Sequence, residues 1–126
     1  MALKRVVVTG LGALTPIGNN LEEFWKGLIE GKSGAAPITY FDTEKFKTKF
    51  DCELKGFDIS DYLDRKQQRK MDRFTQYGMV STDEAITDSG INLDKVDKTR
   101  VGVIWGSGIG GIETFQNQML EHASGD

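Results

Sequence analysis

The sequence predicts an α/β protein in which helices cover a parallel sheet. Two short apolar runs, each ending in a glycine-rich turn, carry this prediction: Val6–Gly12 and Val101–Gly111. A continuous β-branched run bounded by glycines is typical of a strand buried on both faces, and such strands belong to parallel sheets. Glycines directly after a strand let the backbone approach a ligand closely, at the sheet edge where α/β proteins usually bind ligands.

The first predicted helix lies between the two runs. Its apolar residues recur at the spacing of one helical face: Leu21, Phe24, Trp25, Leu28 and Ile29. Asn20 and Glu23 are placed as a capping box at its start, and Gly31 is placed to end it. The segment from Gly34 to Tyr62 is expected to form a long excursion with short strands or turns.

Two further helices are expected. One runs from about Asp72 to Ser89, carries a stripe of mostly small residues that allows close packing, and ends at Gly90. The other begins after Gly111, and its apolar face is expected to belong to the core. That face consists of Ile112, Phe115, Met119 and Leu120.

Length and composition bound the class of protein. The chain has 126 residues with ordinary apolar and charged fractions, which is room for about one domain. Its apolar runs stop short of the roughly 18 residues that a membrane helix needs, so no membrane span is expected. A single cysteine, Cys52, cannot form an intrachain disulfide, as is typical of a reducing cytosol. The formal net charge of −3 argues against general affinity for nucleic acid.

A compact group of positive charges interrupts this acidic background. Between Arg65 and Arg73 the sequence carries five basic residues and a single acidic one. If this stretch is helical, four of the basic residues share one face, because they recur at spacings of three and four: Lys66, Arg69, Lys70 and Arg73. A cationic face is most often simply solvated, so spacing alone favours that interpretation over a docking surface.

Few residues could carry chemistry. Gly106, Gly108 and Gly111 fit the G-x-G-x-x-G pattern, but no second strand with an acidic end follows about twenty residues later, so nicotinamide or flavin binding is not expected. Cys52 lies between two carboxylates that disfavour a thiolate, and we interpret it as structural. His122 is the only histidine, so a His-rich metal site is not expected. On residues alone the chain lacks a catalytic set.

Two strands are too few for this class of fold. A two-stranded parallel sheet can neither bury three amphipathic helices nor protect its own edges. The sequence also ends directly after a helix, where a further strand is expected. We therefore expect these residues to be the front portion of a longer domain.

Four motifs occur in a distinctive order: Lys4–Asn19, Gly31–Gly34, Arg65–Gly78 and Val101–Gly111. Together they resemble the N-terminal part of a β-ketoacyl-acyl-carrier-protein synthase, most closely of type II. The resemblance implies a thiolase-like fold of αβαβα layers, of which residues 1–126 would be an incomplete first part without an internal linker. It also implies a cytoplasmic homodimer that elongates fatty acids by decarboxylating Claisen condensation.

The condensation implied by this resemblance needs no organic cofactor or metal. Its partners would be acyl- and malonyl-loaded acyl carrier protein, with no role for nucleic acid or membrane. The family's nucleophilic cysteine and both catalytic histidines would follow Asp126, and neither Cys52 nor His122 matches them. No catalytic residue is therefore expected in this chain, and the chain alone is expected to be inactive.

Two groups of residues match functional positions of the family. Lys66, Arg69 and Lys70 match the docking surface for the carrier protein, and Ile109 with Gly108 matches the lining of the acyl pocket. Because carrier proteins are strongly acidic, this match favours docking over a merely solvated patch. Two alternatives stay open, a polyketide ketosynthase and a non-catalytic module that binds carrier protein.

Overall fold

The computed structural model describes residues 3–125, which fall into two units. The first unit comprises the chain up to Phe57 together with Ser81–Ile91. The second unit comprises Asp58–Val80 together with the chain from Asn92 onwards. One long helix contributes its first half to the second unit and its second half to the first.

The helices match the sequence prediction closely. The structure contains α1 (Leu21–Ile29), α2 (Arg65–Gln68), α3 (Arg73–Ser89) and α4 (Ile112–Ser124), with short 3-10 turns at Ile59–Asp61 and Lys98–Arg100. The predictions of α1, α3 and α4 are confirmed to within about a residue at their starts. A capping residue or a glycine that can be recognised in the sequence lies next to each of these three helices.

Caps and glycines delimit these helices. The Glu23 amide donates to the Asn20 side chain over 2.8 Å, while the Glu23 carboxylate accepts from the Asn19 amide over 2.9 Å, one residue before the predicted partner. Gly31 and Gly90, just beyond α1 and α3, have φ of 65° and 61°, in the left-handed region that favours glycine.

The predicted strands are wrong in this structure. Neither Val6–Gly12 nor Val101–Gly111 contains a strand, and Val6 and Ile104 are almost completely exposed. A strand needs a neighbour with which to exchange N–H···O=C bonds, and apolar composition alone does not supply one. Neither run has such a neighbour among residues 3–125.

A small antiparallel sheet forms elsewhere, within the predicted excursion. Its strands are β1 (Ala36–Pro37) and β2 (Phe50–Asp51), and Ala36 pairs with Asp51 while Pro37 pairs with Phe50. The expectation of short strands in this segment is confirmed.

Little of the apolar surface is buried. Among the described residues the buried apolar side chains are Leu63 and Val80. The expected core face of α4 is exposed, because Ile112, Phe115 and Leu120 each keep more than half of their surface open. None of the helices in residues 3–125 has the length and apolar character needed to cross a membrane.

Candidate functional site

The basic segment, residues 64–71, begins with a complete capping box. Asp64 precedes α2, and its carboxylate accepts the Gln67 amide over 2.8 Å. The Gln67 side chain in turn accepts the Asp64 amide over 3.1 Å. These reciprocal bonds satisfy two backbone donors at the start of a helix that is only four residues long.

The other end of the basic segment is held by side-chain amides. Gln76, a buried residue of α3, donates from Nε2 to the carbonyl of Gln68 over 3.0 Å and to that of Met71 over 2.9 Å. Gln68 donates from its own side chain to the carbonyl of Leu63 over 2.6 Å. The segment is therefore fixed at both ends to buried parts of the second unit.

The three predicted docking residues all lie on this segment and are exposed. Lys66 belongs to α2, Arg69 is its C-terminal cap, and Lys70 follows directly. None of the three takes part in an ion pair within residues 3–125. Their charges are thus available to a partner.

The expectation that Arg73 shares a helical face with these residues is wrong. Helix α2 ends at Gln68 and α3 starts at Arg73, so the helical spacing is broken between them. Arg73 instead forms a 2.8 Å ion pair with Glu113 at the start of α4. This ion pair joins residues 40 positions apart in the sequence.

The glycine turn, residues 106–111, is anchored by its neighbours. The Trp105 indole Nε1 donates to the Phe74 carbonyl over 2.9 Å. Gly78 lies against the Trp105 ring, where a Cβ added to the glycine would come within 2.7 Å of ring atoms. Gly110 lies against the Phe74 ring in the same way, at 2.8 Å. The first half of α3 therefore carries contacts to both ends of the turn.

The residues predicted to line an acyl pocket lie in the open part of this turn. Ile109 is 73% exposed, and nothing lies within 4 Å of a Cβ added to Gly108. Asp72 and Thr114 are joined by a short hydrogen bond, which ties the start of α4 to the start of α3. The turn is held at its two ends, while its middle is available to a further partner.

The remaining candidates show no catalytic grouping. Cys52 is exposed, and His122 lies in the last turn of α4. Within residues 3–125 no three histidine, cysteine or acidic side chains are grouped so that they could hold a metal ion. A cavity of about 250 Å³ lies in the first unit, beside Ile17, Lys32 and Lys55.

Lys55 uses its ammonium group to join loops of this cavity. It donates to the carbonyls of Gly34 and Pro16. Lys32 donates to the carbonyl of Ile17 over 3.5 Å. Both ammonium groups therefore lie beside backbone oxygens of the cavity wall.

No sequence pattern indicated Gln76, whose side chain holds the backbone on both sides of two of the predicted docking residues. A glutamine in a helix has no distinguishing sequence signal, and its role depends on which carbonyls the fold brings to it. The capping box of Asp64 and Gln67 could have been found, because an acidic cap followed three residues later by glutamine is a known helix start.

The comparisons with known proteins agree with the resemblance. The family model described as the β-ketoacyl synthase N-terminal domain matches residues 3–125. The chain therefore belongs to the β-ketoacyl synthase family.

Curated relatives place it near one member of that family. A 3-oxoacyl-[acyl-carrier-protein] synthase 2 from Synechocystis is 44% identical over 115 residues, 91% of this chain and 28% of the relative. The protein of the same name from Vibrio cholerae is 47% identical over 116 residues, 92% of this chain and 28% of the relative. The chain thus spans between a quarter and a third of the length of these relatives.

Solved structures support the fold. The β-ketoacyl synthase from Burkholderia phymatum superposes with a TM-score of 0.75 at 28% identity, covering 98% of this chain and 31% of that one. The ketosynthase AntDE, solved in complex with the acyl-carrier protein AntF, gives a TM-score of 0.55 at 28% identity, covering 72% and 23%. These likenesses confirm the predicted class: the chain has the fold of the N-terminal portion of a thiolase-like condensing enzyme.

Proposed function

We propose that these residues form the N-terminal part of a 3-oxoacyl-[acyl-carrier-protein] synthase of type II, which elongates fatty acids. The reaction would be a decarboxylating Claisen condensation between an acyl thioester and malonyl carrier protein. Identities of 44% and 47% to curated synthases of that name are the observation that carries this proposal. The whole enzyme would act as a cytoplasmic homodimer, with residues 1–126 contributing to one condensing domain.

The chemistry of the proposed reaction assigns a supporting role to this part of the enzyme. Forming a covalent acyl-enzyme on a cysteine divides the reaction into two easier steps, and electrostatic groups stabilise the enolate. In our proposal the nucleophilic cysteine and the two histidines lie outside these residues. The 126 residues alone would then dock the carrier and shape the pocket without catalysing condensation.

The basic segment is our proposed docking surface for acyl- and malonyl-loaded acyl carrier protein. Lys66, Arg69 and Lys70 are exposed and have no internal ion pairs within the described residues, which is the arrangement that an acidic partner needs. The AntDE ketosynthase was solved in complex with an acyl-carrier protein, which supports a partner of this class.

Charge reversal tests the docking proposal. In a full-length synthase that carries these residues, Arg69→Glu should weaken carrier binding at least about tenfold, chiefly by slowing association, and the defect should shrink as salt screens the wild-type attraction. Lys47→Glu, a reversal at an exposed lysine that forms no ion pair within residues 3–125, is the matched control. Activity toward acyl groups on a small neutral thiol should survive, and equal loss with both kinds of donor would contradict docking.

The open middle of the glycine turn is our proposed wall of the acyl pocket. Ile109 offers an exposed apolar side chain and Gly108 leaves space beside it. In the same full-length enzyme, Ile109→Phe should penalise long acyl primers more than short ones, because added volume costs roughly 1–3 kcal/mol where a site must rearrange. A uniform loss at every primer length would contradict the assignment.

A polyketide ketosynthase is the second candidate, supported by the likeness to AntDE at 28% identity. The higher identity to curated 3-oxoacyl-[acyl-carrier-protein] synthases favours elongation. The assay that separates the two is product analysis with a full-length enzyme: a single extension of a saturated primer supports fatty-acid elongation, and repeated extension without reduction supports polyketide synthesis.

A further inference from the structure

Gln76 is the one buried polar side chain in the part of the chain that the structure describes, with 9% of its surface exposed. Burying an amide costs free energy unless its hydrogen bonds are made. Gln76 meets this requirement through the carbonyls of Gln68 and Met71, at 3.0 and 2.9 Å. The carbonyls belong to the basic segment, so α3 holds that segment through this side chain.

The two carbonyls belong to the residues directly before and after Arg69 and Lys70, the exposed basic pair of the segment. Helix α2 has four residues, far fewer than the roughly 12–15 that an isolated helix needs to be even marginally stable in water. Its geometry must therefore come from contacts at its ends. The capping box secures the start, and Gln76 secures the end that carries the arginine and the lysine.

A fixed backbone matters for docking because long basic side chains already lose rotamer freedom when they bind. If the backbone beneath them were also mobile, association would have to order it as well, at a further cost in free energy. We propose that Gln76 is a positioning residue that preorganises Arg69 and Lys70 for an acidic carrier protein. This inference rests on the proposed docking function.

The test compares Gln76→Met with Gln118→Met in a full-length synthase. Methionine keeps the approximate length of glutamine and removes both donated hydrogen bonds, and Gln118 is an exposed glutamine of α4 that serves as the matched control. Gln76→Met should raise the KM for carrier-bound substrate about fivefold with kcat unchanged, the effect of roughly 1 kcal/mol in hydrogen bonding. Gln118→Met should leave KM unchanged.

Two readouts separate positioning from charge and from general stability. Because all charges remain in Gln76→Met, its carrier binding should keep the salt dependence of the wild type, which Arg69→Glu should reduce. Amide hydrogen exchange should quicken in residues 65–71 and stay unchanged in α4. Gln76→Asn, which keeps the amide on a shorter side chain, should fall between wild type and Gln76→Met and covers the case in which the methionine variant folds poorly.

The outcomes distinguish this inference from the docking proposal. If Arg69→Glu weakens carrier binding while Gln76→Met does not, docking stands and the positioning role is wrong. If neither variant affects carrier binding, both proposals are wrong. Equal losses with carrier-bound and small-thiol donors would also overturn the positioning role, because a merely structural defect acts on every substrate.

Discussion

The two apolar runs share a sequence pattern and differ in how the structure holds them. In the first unit, the amides of Leu11 and Ala13 donate to the carboxylates of Asp88 and Glu84 on α3, over 2.9 and 2.8 Å. In the second unit, the run from Val101 is attached to α3 chiefly through the Trp105 ring, whose Nε1 donates to a backbone carbonyl. The first run is thus bound through its backbone and the second through a side chain.

Two glycines of the first run and three of the second differ in the space around them. A Cβ added to Gly10 or Gly12 would overlap backbone oxygens of α3, those of Ala85 and Ser81. A Cβ added to Gly102, Gly106 or Gly108 would meet nothing within 4 Å. Glycine in the first run allows a close approach to the helix, whereas these glycines of the second run leave space open. Gly110, at the end of the second run, is the exception, because it packs against the Phe74 ring.

The largest effect should come from filling the close approach. Gly12→Ala places a methyl group against the backbone of α3, which cannot move aside as a flexible side chain could, so we expect a loss of about 3 kcal/mol in unfolding free energy. Gly106→Ala is the matched control and should stay within about 0.5 kcal/mol. Urea unfolding of a full-length synthase that carries these residues, and of its two variants, measures both, and similar losses would show that the two runs are packed alike.

A smaller effect should follow from weakening the carboxylate that bridges two backbone amides. Glu84 accepts the Leu21 amide over 2.7 Å with one oxygen and the Ala13 amide over 2.8 Å with the other. Glu84→Gln replaces one acceptor by a donor and removes the charge, so we expect a loss of about 2 kcal/mol in unfolding free energy.

Two variants place that loss in context. Asp83→Asn changes an exposed carboxylate of the same helix and should have little effect. Trp105→Phe removes the single indole donor of the second run while keeping a ring, and should cost about 1 kcal/mol. If Trp105→Phe destabilised the chain more than Glu84→Gln, the first run would not be the more firmly bound of the two.

Sequence reasoning succeeded where the physical signal is local. Helix α1 has its cap at Asn20 and its end at Gly31, and α4 follows the glycine turn directly, so nearby residues define each of these helices. The strands could not be predicted in the same way, because a strand pairs with a neighbour that is often distant in sequence. The apolar runs therefore indicated the fold class without forming a sheet among the described residues.

In the candidate site, too, the residues of a local motif could be predicted and the contacts between distant residues could not. Lys66, Arg69 and Lys70 could be recognised from a motif, and the structure places them together on one exposed segment. The ion pair of Arg73 with Glu113, 40 positions away, could not be foreseen, because it depends on where the fold places the start of α4. The support from Gln76 could not be foreseen either, because it depends on where α3 lies beneath the segment.

The smallest expected effect is the response to low pH. It should differ between a carboxylate whose hydrogen-bond partner is distant in sequence and one whose partner is two residues away. Glu53 of the first unit accepts the hydroxyl and amide of Thr39 over 2.6 and 2.9 Å, across 14 positions. The hydroxyl bond first, and then the backbone bonds, hold the pKa of the Glu53 carboxyl below its usual value. In the second unit, Asp97 also has a lowered pKa, but its partner Thr99 is only two residues away.

A group whose pKa is lowered by folding stabilises the folded state above its unfolded pKa, and this contribution is lost as the pH falls through the folded pKa. We therefore expect the amide signals of Thr39 and Tyr40 to titrate in NMR below the ordinary range of glutamate. Protonation should speed their hydrogen exchange, because it weakens a link between distant parts of the excursion. Protonation of Asp97 should weaken only its hydrogen bonds to the amide and hydroxyl of Thr99, within a single turn. Glu53→Gln should abolish the titration at Thr39, and a titration that persisted in this variant would assign it to another carboxylate.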